Sequence, residues 1–208
     1  MLVKIASAIT SGLSNPSKMP GHGYSLPAKE CKMGSILAKI PGTTCHNCYA
    51  LKGRYVFPNV QNALYRRLDS LKDPRWVEAM VTQIKSSKDK YFRWHDSGDL
   101  QSVEHLELIA EVCWQTPKVK HWLPTREYVI VQEFMRSFQV PPNLVIRLSA
   151  HKIDSAPPSG YGLPTSTVHT KGSPIHGKEC RAYTRENSCG SCRACWDPKV
   201  ANVSYHKH

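Results

Sequence analysis

Apolar positions set out the middle of the chain. Val60, Leu64, Leu68 and Leu71 recur at helical spacing and predict one helix. Asp73–Pro74 then reads as an N-cap followed by proline at the first helical position, and Val77, Met80, Val81 and Ile84 continue a second helix. From Tyr91 the period shortens to two. Tyr91–His95 reads as a strand, and Ser102–Thr116 as a helix with Val103, Leu106, Ile109, Ala110 and Cys113 on one stripe. Lys120–Leu123 is a second strand, Glu127–Phe138 a helix with Val131, Phe134 and Phe138 inward, and Leu144–Ser149 a third strand. Alternating strands and helices imply right-handed βαβ units on a parallel sheet. The expected class is α/β, either a partial (βα) barrel or an open parallel sheet.

Outside this core the pattern weakens. Residues 1–55 are rich in Gly, Pro, Ser and Lys and read as mostly loop. After Ala150, residues 156–177 read as a long loop or lid, and a cysteine-rich segment follows. The whole, 1–208, is expected to be one domain: 1–55 a cysteine-bearing loop region, 56–150 the helices and βαβαβ core, 151–208 the long loop and cysteine-rich end.

Strands of a parallel sheet are usually apolar on both faces, and these are not. Phe92 and Trp94 share one face, while Arg93 and His95 share the other; Arg147 likewise stands opposite Leu144, Ile146 and Leu148. Each strand also ends in polar residues: His95-Asp96-Ser97-Gly98-Asp99, then Pro124-Thr125-Arg126-Glu127, then Ser149-Ala150-His151. Ligands of α/β sheets sit at such carboxyl ends. His95, Asp96 and Asp99 also suit a capped turn. As a site, His95 and Asp96 are candidate acid–base groups beside Asp99, and Arg126 and Arg147 candidate grips for a carboxylate or phosphate.

Seven of the eight cysteines fall in two groups. Cys31 precedes Cys45-His-Asn-Cys48. Cys180 precedes Cys189-Gly-Ser-Cys192-Arg-Ala-Cys195. Cys113, on an apolar helical stripe, is expected in the core. Successive x2 spacings resemble the cysteine run of ferredoxin clusters, which points to a [4Fe-4S] cluster, one or two per chain. Zinc is the alternative, pairing Cys45 and Cys48 with two C-terminal cysteines across an unusually long loop.

Charge adds a second theme. The formal net charge is +12 and the pI about 9.4. That balance suits a small or anionic substrate and leaves nucleic acid open as a partner through a basic surface. No apolar run approaches the ~20 residues of a membrane span, so no membrane partner is expected. Lys4 interrupts the start, which lacks a signal-peptide pattern, so a cytoplasmic location is expected. Oligomeric state is not readable. The Asn202–His208 tail ends in His-Lys-His, too irregular for a purification tag.

Several stretches together resemble a phage family called gene product 88. They are Asn15-Pro-Ser-Lys-Met-Pro-Gly21, Cys45-His-Asn-Cys-Tyr-Ala-Leu-Lys-Gly-Arg54, Phe57-Pro-Asn-Val-Gln-Asn62 and Tyr91-Phe-Arg-Trp-His-Asp-Ser-Gly-Asp-Leu100. The later ones are His121-Trp-Leu-Pro-Thr-Arg126, Cys192-Arg-Ala-Cys-Trp196 and Val203-Ser-Tyr-His-Lys-His208. That resemblance implies a phage protein working in the host cytoplasm. The middle is also distantly similar to the radical-SAM half-barrel, whose members hold a cluster through three cysteines, usually C-x3-C-x2-C. Cys45 and Cys48 match the last pair, whereas Ile40–Pro41 stands where the first would lie and Cys31 is further upstream. The resemblance implies SAM as a cluster ligand.

Three functions follow as expectations. The first is an iron–sulfur enzyme whose exchangeable iron acts as a Lewis acid in hydrolysis or dehydration. The second keeps the fold and uses SAM for radical chemistry. The third is a non-enzymatic module, stapled by zinc or a cluster, that binds nucleic acid or a host protein.

Overall fold

The computed structural model describes residues 1–16 and 19–207; Ser17 and Lys18 of the Asn15–Gly21 stretch and the terminal His208 lie outside them. A single sheet gathers seven strands: β1 Gly23–Tyr24, β2 Tyr91–Trp94, β3 Lys120–Thr125, β4 Leu144–Ser149, β5 Thr165–His169, β6 Lys178–Cys180 and β7 Asn202–His206. Their order is β1-β2-β3-β4-β5-β7-β6 and every pairing is parallel. Of the two expected forms, the sheet is the open one. The helices are α1 Val3–Thr10, α2 Lys32–Leu37, α3 Pro58–Ser70, α4 Trp76–Ser87, α5 Val103–Gln115 and α6 Tyr128–Ser137. No helix among the described residues is long and apolar enough to cross a membrane.

The strand alternation decides which face meets the helices. Phe92, Trp94, Leu123, Leu144, Ile146 and Leu148 join Trp76, Met80, Ile84, Leu106, Ile109 and Phe134 in one buried core. Aromatic rings concentrate there: Tyr24 lies edge-on to Trp76 at 5.7 Å, and Phe92 to Trp94 at 4.9 Å. Each fully buried aromatic of this kind contributes roughly 2–3 kcal/mol of apolar transfer free energy. Cys113 is buried in the same core, as its stripe predicts. Helix α5 starts where Ser102 caps it, its hydroxyl accepting from the His105 amide at 3.2 Å.

The opposite face is covered by the chain's own C-terminal segment. Trp196 stacks edge-on against Tyr91 at 5.5 Å and Trp122 at 5.1 Å, and its indole donates to the Phe92 carbonyl at 2.9 Å. Arg147, fully buried, donates to the carbonyls of Thr165 and Val200 through one terminal nitrogen and of Ala194 and Asp197 through the other. One guanidinium thus pins a whole loop to the sheet.

Residues 1–55 are mostly loop, as expected, although α1 lies against α4, with Gln83 donating to Thr10 Oγ1 at 2.5 Å. Other expectations change. The expected long loop at 156–177 contains β5, and the tail forms β7, next to β5 and β6 within the sheet. Their polar side chains pair by hydrogen bonds: Ser166 with Ser149, Thr167 with Ser204, Thr165 with Asn202 and His169 with Ser204. Helix α4 also starts later than Asp73–Pro74 suggested, since Asp73 forms a turn that takes the amide of Arg75 at 2.9 Å.

Gly98 is where β1's continuation crosses the end of β2. Leu26 and Ser97 exchange hydrogen bonds there, Leu26 N to Ser97 O at 2.8 Å and Ser97 Oγ to Leu26 O at 2.9 Å. Gly98 has φ +81°, and a Cβ on it would sit 2.6 Å from Leu26 Cβ and 2.8 Å from its carbonyl. Gly98→Ala is therefore expected to cost roughly 2–6 kcal/mol, from left-handed strain plus overpacking against backbone. Urea denaturation measures it; a loss under about 1 kcal/mol would contradict the packing described.

Candidate metal centres at the strand ends

The first cysteine group lies in a strap across the carboxyl ends of β2, β3 and β4. Thr43 bridges to Lys152, and the Thr44 amide donates to the His151 carbonyl at 2.9 Å, just past β4. Glu127, just past β3, accepts from the Met33 amide at the start of α2 at 2.7 Å. Tyr49 donates to the Asp96 carbonyl past β2 at 2.5 Å, and Tyr55 donates to the Asp96 carboxylate. Cys45 and Cys48 are joined by a tight turn, with Cys48 N to Cys45 O at 3.0 Å and Asn47 left-handed at φ +69°.

Cys31 and Cys45 meet over Gly34. A Cβ at Gly34 would lie 2.8 Å from Cys31 Cβ, 3.5 Å from Cys31 Sγ and 3.8 Å from Cys45 Sγ. Glycine inside a helix costs about 1 kcal/mol relative to alanine. Here it leaves open the space between two sulfurs. Burial pushes the Cys31 and Cys45 thiols up, against the pull of the nearby Arg126 guanidinium.

The second group is assembled from β6, a turn and a short 3-10 helix at Ala194–Trp196. Cys180 sits opposite Tyr205 in the register of β6 and β7, and Cys195 Sγ lies 3.2 Å from the Tyr205 hydroxyl. Cys189 and Cys192 share a turn, with Cys192 N to Cys189 O at 3.1 Å. Each group has its own close neighbours: Cys31 feels Cys45 and Cys48, whereas Cys189 feels Cys180 and Cys192. The two segments approach each other at Arg93, which feels both Tyr49, beside Cys48, and Cys195. Among the described residues, no three or more His, Cys, Asp or Glu side chains are close enough together to hold a single metal ion.

The other candidates separate. Asp99 is buried and accepts from Thr125 Oγ1 at 2.6 Å, Arg126 N at 2.9 Å and Leu100 N at 2.8 Å. Burial raises its carboxyl; those three donors oppose the shift. It clamps the ends of β2 and β3 and orients Arg126, whose Nε donates to Thr44 Oγ1 at 2.9 Å. Arg126 remains half-buried beside the first group, with no ion-pair partner among the described residues. Asp96 pairs with Arg93 at 2.9 Å.

His95 and Arg147 stand differently from expectation. His95 has φ +55°, which breaks the strand alternation and turns its ring from the Arg93 face towards His105, 5.2 Å away. It is buried, neither ring nitrogen has a partner, and burial drives its pKa well down. Arg147 holds four carbonyls and lies beneath the C-terminal segment, so its terminal nitrogens are already taken. The polar partners that sequence reasoning missed are Thr44, Tyr49 and Tyr55; it names Glu127 only as a strand-end residue. Tyr49 and Tyr55, close after the C-x2-C pair, were the one visible signal.

Neither the curated proteins nor the solved structures provide a match. A family model described as gene product 88 matches residues 3–198. The chain therefore belongs to the gene product 88 family.

Proposed function

We propose that this protein is an iron–sulfur enzyme whose working cluster is held by Cys31, Cys45 and Cys48. The observation that carries this reading is the placement of three cysteines, with Gly34 vacating the space between two of them, across the carboxyl ends of a parallel sheet. That is where α/β sheets bind their ligands. Three protein thiolates on a [4Fe-4S] cluster leave one iron free for an outside ligand. When bound, such a cluster supplies a Lewis-acidic iron at that corner.

The surrounding residues fit a small anionic substrate. Arg126 presents a guanidinium without a carboxylate partner, held in place by Asp99 and Thr44. A planar guanidinium binds a carboxylate or phosphate by paired hydrogen bonds. Asp96 is the polar acid–base candidate on the same rim, poised by Arg93 and Tyr55. Hydrolysis or dehydration of such a substrate remains the favoured reaction class.

A second reading places SAM at the open iron. It is favoured by the position of the cysteine strap directly after β1, with Ser97-Gly98-Asp99 beside it at the end of β2. Electron paramagnetic resonance of the reduced protein separates the two. A spectrum that shifts with citrate and not with SAM supports the first; a shift with SAM, accompanied by SAM cleavage, supports the second. A spectrum unmoved by either would mean there is no open iron, contradicting both. Arg126→Ala is expected to raise KM for an anionic substrate about tenfold to a thousandfold, the loss of one bidentate charge-assisted contact. An unchanged KM would remove Arg126 from the site.

A further inference from the structure

The geometry points to a second metal site: we propose that Cys180, Cys189, Cys192 and Cys195 hold a [4Fe-4S] cluster of their own, with every corner taken by a protein thiolate. The proposal does not require the three-cysteine site to be loaded.

Four cysteines are drawn together here by three separate elements. The β6–β7 register sets Cys180 against Tyr205, and the 3-10 helix brings Cys195 to the hydroxyl of the same tyrosine. The turn Cys189–Cys192 supplies the other pair, and the charge of Cys180 bears on Cys189. A C-x2-C-x2-C run with one distant cysteine suits a cube, whose corners hold thiolates apart. A lone zinc would need all four sulfurs at about 2.3 Å from one point, whereas a cube holds its thiolates further apart.

Charge makes the stronger argument. Arg147 is fully buried, its Nε has no partner, and no carboxylate pairs with it among the described residues. Its four hydrogen bonds all go to neutral carbonyls, two of them on Ala194 and Asp197 flanking the Cys195 turn. Tyr205, Cys195 and Asp197 bear on it through space without an ion-pair contact, and a buried cation lacking a contacting counter-charge is costly. Two further guanidiniums stand by: Arg93, paired with Asp96 and also feeling Cys195, and Arg193, which donates to the carbonyls of Gly190 and Cys192. A cluster with four thiolates is a net anion. It would add negative charge beside Arg147, and the arginines would stabilise it in return. The first group, with three thiols and Arg126, lacks the fourth thiolate. The two sites are therefore expected to differ in kind, one open and one closed.

The test compares Cys45→Ser/Cys48→Ser with Cys189→Ser/Cys192→Ser and the unaltered chain, purified anaerobically. Iron, sulfide and zinc are assayed, electron paramagnetic resonance follows reduction, and circular dichroism checks folding. The unaltered protein is expected to carry about eight irons and eight sulfides. Cys45→Ser/Cys48→Ser should keep about four of each, with a signal indifferent to citrate and SAM. Cys189→Ser/Cys192→Ser should lose the iron that the first variant keeps. If this second variant does not fold, the first variant decides alone. A folded Cys45→Ser/Cys48→Ser protein without iron, or with one zinc, would overturn the proposal. Iron that survives in this variant but is absent from Cys189→Ser/Cys192→Ser would uphold it, even if the three-cysteine site proves empty.

Discussion

Lowering the pH from 7.5 to 5.5 is expected to remove about 4 kcal/mol of folding stability through three buried histidines. His105 and His121 each have pKa values lowered to about 3 by burial, and His95 lies well below the ordinary range for the same reason. Their folded pKa values are depressed, so the stability they contribute is complete above the unfolded value near 6.5 and is lost as the pH falls towards the folded values. Each neutral ring accounts for about 1.4 kcal/mol of loss per unit below ~6.5. His121 shows why protonation is unfavourable. Thr116 spends its hydroxyl proton on the Val112 carbonyl at 2.7 Å, so it accepts from His121 Nε2 at 2.8 Å. The vacant nitrogen is then Nδ1, which is buried without a partner beside Trp94. Asp99 and Glu127, whose carboxyls burial raises, act in the opposite sense. His121→Phe isolates the histidine term: its stability should fall about 1.4 kcal/mol less over the same interval. Urea denaturation at the two pH values gives the difference, and equal losses in both proteins would show that His121 does not stay neutral.

Asp99→Ala is expected to destabilise the fold by about 3–5 kcal/mol, because three donors lose a buried charged acceptor. Thr125 Oγ1 and the amides of Leu100 and Arg126 all converge on this one carboxylate. Asparagine should not rescue it, since its amide would present a donor to one of those donors. Thr125→Val, which removes a single contact, should cost only about 1–2 kcal/mol. The two values come from denaturation of both variants. If Asp99→Ala costs no more than Thr125→Val, the clamp between β2 and β3 is not what holds these strand ends.

The βαβαβ middle was legible because its strands alternate. Phe92 and Trp94, then Leu144, Ile146 and Leu148, announce a face that must be covered by helices, and α5 and α6 carry the matching stripes, except that Phe138, expected inward, lies past the end of α6 and is exposed. Strand β5 was not legible, because Thr165–His169 is almost wholly polar and is satisfied by hydrogen bonds to β7; the alternation of Val203 and Tyr205 with Asn202, Ser204 and His206 marks β7, in a tail read as irregular. His95 was assigned to the wrong face for a local reason: its positive φ, which alternation cannot show. The cysteines were visible at once. Their two groups were visible as well; what spacing does not reveal is that Cys180 joins a strand beside Tyr205 or that Cys31 closes on Cys45 over Gly34. Arg147 stood out as a charge on a strand; its four carbonyl partners come from chain segments that only the fold brings near.

The central claim is that the cysteines of this fold ligate iron and sulfide. Its most direct measurement is the visible spectrum of anaerobically purified protein, with iron, sulfide and zinc assayed on the same sample. The account predicts a brown protein with a broad band near ~400 nm and iron matched by sulfide. Colourless protein carrying zinc without sulfide would contradict it.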